Sequence, residues 1–123
     1  MTPAVVLARS LVAVYDTADP MMLIRRFGII YLEVPLPARI RGFSVAVLDY
    51  DAICINSAIT GLMRRYVQAH ELGHCLLGHS FGIRFHLDTV PSQAQGPEYD
   101  AAMFAETLLD MDSDIRRDKH DKP

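Results

Sequence analysis

No stretch of this chain of 123 residues approaches the ~18 consecutive apolar residues that a bilayer span requires, so no membrane segment is expected. Basic charge is scarce as well. Twelve Lys and Arg face fifteen Asp and Glu, a formal net charge of -3. Nucleic-acid binding usually asks for a basic face, and there is no helix-turn-helix pattern, so direct nucleic-acid binding is not expected. Cysteine is nearly absent. Cys54 and Cys75 lie far apart and in neither a metal-ligand nor a redox spacing. They read as small buried apolar side chains in a reducing compartment. The amino terminus lacks a basic start and is broken by Arg9, so it does not read as a secretory signal. The expected location is the cytoplasm.

What remains is ordinary globular composition, with 50% of residues hydrophobic and 22% charged. The length fits one domain with a modest core. Ala4 to Tyr15 reads as a mostly buried helix. Asp19-Pro20 is an N-cap followed by proline at the first helical position, and Gly28 is the stop. The second helix is therefore expected over Met21 to Phe27. Ile29 to Val34, closed by Pro35 and Pro37, reads as a strand. Phe43 to Leu48 and Ala52 to Asn56 read as a hairpin around a turn at Asp49-Tyr50-Asp51. A helical pattern then runs from Ile59 or Leu62 to Leu77 and stops at Gly78. Ser80 to Pro97 is loop-rich, and a last helix is expected from about Glu98 to Leu109. Residues 1–109 form the expected domain, and residues 110–123, dense in both charges, read as a solvated tail.

The chemistry concentrates in His70-Glu71-Leu72-Gly73-His74. Two histidines four apart on a helix are separated by about 40° around its axis, so both rings can reach one ion. Glu71 falls about 60° from His74, beside the ion rather than on it. Neutral imidazoles leave zinc strongly Lewis acidic, which lowers the pKa of its bound water toward ~7. A neighbouring carboxylate then takes the proton as general base. Gly73 stands where a close backbone approach would be useful.

A catalytic zinc site needs a third protein ligand. Glu98 and Asp100 are the candidates at the start of the last helix, some 200° apart on the wheel. Ala101, Phe104, Ala105 and Leu108 form its inward stripe, which either acid can flank. A carboxylate in a first helical turn is favoured by the helix dipole in any case. Periodicity alone leaves the choice between the two open.

At these residues the chain resembles the ImmA/IrrE metallo-endopeptidases. The resemblance spans roughly Tyr15 to Leu109. It is carried by Gly42-Phe43, Ile55-Asn56, Ala69-His70-Glu71-Leu72-Gly73-His74 with Leu76-Leu77, Phe104-Ala105 and Leu108-Leu109. It implies an α+β, minimal zincin-like fold, a small sheet packed on three or four helices. It also implies Zn2+ on His70 and His74 and a general base at Glu71. In the family register the third ligand falls on Asp100, where the family usually has Glu; Ala102 replaces an Asn, and a following Met-Pro is absent. The implied substrate is a helix-turn-helix repressor of a phage or mobile element, or one linked to a stress response. The alternative is a catalytically weak or inactive anti-repressor or antitoxin-like module that acts by protein binding.

Four further residues are candidates around the site. His79 fits a cap or a contact behind the metal ligands. His86, Tyr66 and Tyr99 could polarise a substrate carbonyl. The hairpin from Phe43 to Asn56 directly precedes the active helix and is expected to offer a strand edge to an extended peptide.

Overall fold

The computed structural model of the chain describes residues 2–78, 84–87 and 96–121. The Thr2 hydroxyl accepts from the Val5 N–H and caps α1 (Pro3–Tyr15). The Asp19 carboxylate accepts from the Met21 N–H at 3.1 Å and caps α2 (Pro20–Arg26). Each cap satisfies a backbone donor that the helix leaves orphaned, and proline follows where no N–H is needed. Gly28, at φ 68°, then turns the chain into β1 (Ile30–Val34).

β2 (Ile40–Val47) and β3 (Tyr50–Asn56) follow as an antiparallel hairpin, with α3 (Gly61–Leu76) after them. β4 (Arg84–Leu87) and α4 (Pro97–Asp121) complete the described elements. The sheet order is β1-β3-β2-β4, with β1 parallel to β3 and β4 antiparallel to β2. The architecture is α+β, as expected. Among the described residues no helix is long and apolar enough to cross a membrane.

The core lies between the sheet and the helices. Ile53 and Ile55 from β3, Val67 and Leu72 from α3, and Phe104 and Leu108 from α4 are fully buried. The Asn56 amide, itself buried, donates to the carbonyls of Ile40 (2.9 Å) and Leu36 (3.2 Å) and accepts from the Ala58 N–H. One side chain thus ties the β1–β2 connection to the end of β3 just before α3. Arg65 of α3 pairs with Asp112 of α4 and, at 3.5 Å, with the Asp19 cap of α2. That bridge fixes three helices relative to one another.

Four expectations need correction. The hairpin turn is Leu48-Asp49, with Tyr50 and Asp51 already in β3. Leu48 takes φ 55°, a conformation usually left to glycine or asparagine, so the turn carries no residue signature. β4 lies inside the stretch read as loop. α4 continues through Asp121 rather than ending near Leu109, because Met111 and Ile115 extend its inward stripe onto the core. The expected tail thus begins as helix, docked through Met111, Asp112 and Ile115, with Asp112 only 8% exposed. Finally, the hairpin has no free edge: β3 is paired on both sides, and β2 is paired with β3 and β4. Among the described strands the open edges belong to β1 and β4.

Candidate metal centre

α3 enters the protein lengthwise. Its first turn is exposed at Leu62 and Met63, whereas every residue from Val67 to Cys75 is buried. This half is covered by β2 and β3 on one side and α4 on the other. Two glycines permit that. A Cβ on Gly42 would stand 2.8 Å from the Cys54 carbonyl oxygen and 3.1 Å from the Val67 side chain, so β2 can lie tight against α3 only without one. A Cβ on Gly73 would stand 3.0 Å from the Phe104 ring, so the motif's own glycine lets α4 close onto α3. The close approach expected at Gly73 is present, and Phe104 is its partner.

The orientation of α3 about its axis is set at Gln68, which is also buried. Its amide donates to the Tyr31 hydroxyl at 2.8 Å, and that hydroxyl donates to Glu33 at 2.5 Å. Burial and the Glu33 carboxylate push the Tyr31 phenol up to about 12, so it remains a donor. Nothing in the sequence pattern announced this link, because Tyr31 and Gln68 are 37 residues apart.

His70 and His74 then point to one place. Their Nε2 atoms are 3.2 Å apart. The Glu98 carboxylate reaches both: Oε2 is 3.0 Å from Nε2 of His70, and Oε1 is 3.0 Å from Nε2 of His74. An ion with ~2.0–2.1 Å bonds to tetrahedral donors sets those donors roughly 3.3 Å apart. The two Nε2 atoms and the Glu98 carboxylate oxygens are therefore spaced as a cation would need. The ring N–H groups donate to the same carboxylate. Those two hydrogen bonds hold Glu98 well below the usual carboxylate range. Burial holds the His70 imidazole below its ordinary value, which favours the neutral, metal-binding form.

Glu71 lies beside this cage and is 0% exposed. One donor atom from each of His70, Glu71 and His74 falls within 4.8 Å of the others, so this buried group could hold a metal ion. Burial pushes the Glu71 carboxyl up to about 8, against the influence of the Ser44 hydroxyl, while the Glu98 charge adds to the rise. Ser44, 1% exposed, is a site residue that sequence reading missed. The available signal was a serine two residues past Gly42 on a strand, hence on the same inward face.

The structure brings Glu98, not Asp100, to the imidazoles. The two acids flank the inward stripe of α4 from opposite sides. Glu98 stands about 20° from Ala105 and about 60° from Ala101 on the wheel. Small side chains on that flank leave the carboxylate room to lie across the histidines. Asp100 is half-buried, and its N–H donates to the Gly96 carbonyl at 3.0 Å, closing the first turn of α4. Tyr66 lies one turn before His70, the ring centroids 6.0 Å apart. Tyr99 is half-buried next to Glu98. His86 is on β4 and pairs with Gly42. His79 lies outside the described residues.

No protein-family model matches the chain, and no curated protein matches it.

Proposed function

We propose that the protein is a zinc-dependent endopeptidase of the kind its sequence resembles, with His70, His74 and Glu98 as the zinc ligands and Glu71 as the general base. The observation that carries this is the convergence of three side chains, the two Nε2 atoms 3.2 Å apart and each 3.0 Å from one oxygen of the Glu98 carboxylate, with a buried carboxyl beside them. A purely structural histidine pair has no need of that fourth group. A zinc ion on these donors would supply Lewis acidity, making a water acidic near neutral pH.

The chain's own residues do the rest. Two imidazoles and one carboxylate leave a fourth coordination position for water or substrate. Glu71 takes a proton from the attacking water and returns it to the leaving amine. A carboxyl whose pKa is raised from the usual range toward neutrality can do both. Zinc near the carboxyl would draw that value down again, keeping it ionised as a base. The Ser44 hydroxyl is a hydrogen-bond partner of Glu71, which suits a proton acceptor better than a ligand.

The substrate class we propose is a protein segment in extended form, with a helix-turn-helix repressor as the implied partner. The open edge of β4 is the place for it to pair. β4 lies one strand beyond Ser44, which pairs with Arg84 of β4 and neighbours Glu71. The binding-only alternative drew its support from the short Asp100 side chain. With Glu98 at the imidazoles, that support falls away.

Glu71→Gln tests the proposal. The change keeps size and removes the base, so zinc binding should persist while cleavage of the co-expressed repressor stops. Repressor release that survives Glu71→Gln unchanged would favour the binding module.

A further inference from the structure

β1 lies at the opposite end of the strand order from β4 and pairs with β3 in parallel, in unbroken register. The Val34 carbonyl accepts from the Ser57 N–H at 2.8 Å, so the main-chain groups of Val34 face β3. Alternation along a strand gives Leu32 and Ile30 the same direction. The N–H and C=O groups of Tyr31 and Glu33 therefore face the open edge, where no described strand meets them. The side chains alternate too. Tyr31 stands beside the buried Ile53 and turns toward α3, where its hydroxyl meets Gln68. Ile30 and Leu32 point to the far face of the sheet and are 46% and 54% exposed.

Natural edge strands are usually guarded by lysine, proline or a bulge. β1, read as Ile-Tyr-Leu-Glu-Val, contains none of these. Its one charge, Glu33, accepts from the Tyr31 hydroxyl and pairs with Arg64 at 3.9 Å. That carboxylate is answered within the chain and leaves the edge open to a neighbour.

A second copy of β1 fits this edge best in a single register. A two-fold axis normal to the sheet sets the two strands antiparallel, and outward groups must then meet outward groups. Glu33 against itself sets two carboxylates face to face and brings Tyr31 opposite Pro35, which has no N–H. Tyr31 against itself leaves Glu33 opposite Ile29, whose N–H is already given to the Ile24 carbonyl. Tyr31 against Glu33 of the other copy avoids both faults. It seats Leu32 against Leu32 on the axis and Ile30 against Val34, so aliphatic side chains of both copies meet on the far face.

We propose that two copies of this chain join through antiparallel β1 edges, with Leu32 on the two-fold axis, into one continuous sheet. The β4 edges stay at its outer ends. The joint is therefore independent of the peptidase reading.

Sedimentation of the whole chain across a concentration series tests this. Wild type should rise with concentration from 13.8 kDa toward twice that mass. Leu32→Lys sets two like charges on the axis and should hold the single mass throughout, with an unchanged circular dichroism spectrum. The register is read by single cysteines in a Cys54→Ala background, since Cys54 is the residue beside Leu32 on β3. Leu32→Cys places two thiols in a non-hydrogen-bonded antiparallel pair, with about 4.5 Å between Cα atoms, within disulfide reach. Mild oxidation should link Leu32→Cys chains into a covalent double mass, and Ile30→Cys or Glu33→Cys chains far less. A wild type of single mass at every concentration overturns the proposal, as an edge that receives only an unrelated strand would show. A double mass that Leu32→Lys leaves intact overturns it too, as does a link through Glu33→Cys in place of Leu32→Cys. The cysteine arm decides the matter even where Leu32→Lys fails to fold.

Discussion

Gly73 lies directly beneath the Phe104 ring, so close that a Cβ on the glycine would be 3.0 Å from the ring carbon Cδ1. The contact sets the distance between the helix that carries the histidines and the helix that carries Glu98. Gly73→Ala should therefore do two things at once. Overpacking at a buried contact costs about 1–3 kcal/mol, readable as a lower denaturant midpoint. Zinc affinity should fall with it, because α4 is pushed away from the imidazoles. Gly73→Ala combined with Phe104→Leu should recover part of the affinity. A stable Gly73→Ala protein with unchanged zinc affinity would show that the spacing of α3 and α4 does not matter to the site.

A second prediction concerns the helix end first read as a tail. Arg65 joins Asp112 to Asp19, and both Arg65 and Asp112 are mostly buried, with 22% and 11% of their side chains exposed. Arg65→Met should cost about 1–3 kcal/mol, because Asp112 loses its nearest charge-assisted bond; Arg116, at 3.1 Å, supplies partial compensation. Truncation after Leu109 should cost at least as much, since Met111 and Ile115 leave the core with it. Denaturant melts of the two variants check both expectations. A truncated chain as stable as the full one would restore the solvated tail.

The raised Glu71 pKa makes a third prediction, for the zinc-free protein. Its folded value, about 8, lies above the ordinary 4.5. The native state therefore holds a proton that the unfolded chain has released. The corresponding stability is fully present below the unfolded value and is lost as pH rises through the folded one. The opposite pull of the depressed His70 value acts below 6.5. Between pH 6.5 and about 8, stability should fall with pH, by at most about 1.4 kcal/mol per unit. Glu71→Gln should flatten that slope. Urea melts across the window, on chelator-treated protein, read it directly; a slope unaffected by Glu71→Gln would contradict the assignment.

Much of this was legible beforehand, for physical reasons that can be named. The caps at Asp19-Pro20 and the stop at Gly28 are local signals, and α2 lies within a residue of where they place it. The stripe of Ala101, Phe104, Ala105 and Leu108 is fully buried, as its 3.6-residue period requires. The convergence of His70 and His74 follows from one helical turn.

What was hidden depends on contacts between distant residues or on backbone without a residue signature. A leucine in a left-handed turn gave no warning at Leu48. β4 is a four-residue strand within a loop-like stretch, and only its pairing with β2 defines it. Glu98 and Asp100 differ in which side of α4 faces the histidines. That is fixed by how Phe104 settles on Gly73, a matter of packing rather than sequence periodicity.

The central claim is that Glu98, together with His70 and His74, grips a zinc ion, and elemental analysis of purified variants tests it most directly. Wild type and Asp100→Ala should each carry one zinc per chain, whereas His74→Ala and Glu98→Ala should carry little or none. Full zinc in Glu98→Ala with loss from Asp100→Ala, or no zinc in the wild type after reconstitution, would contradict it.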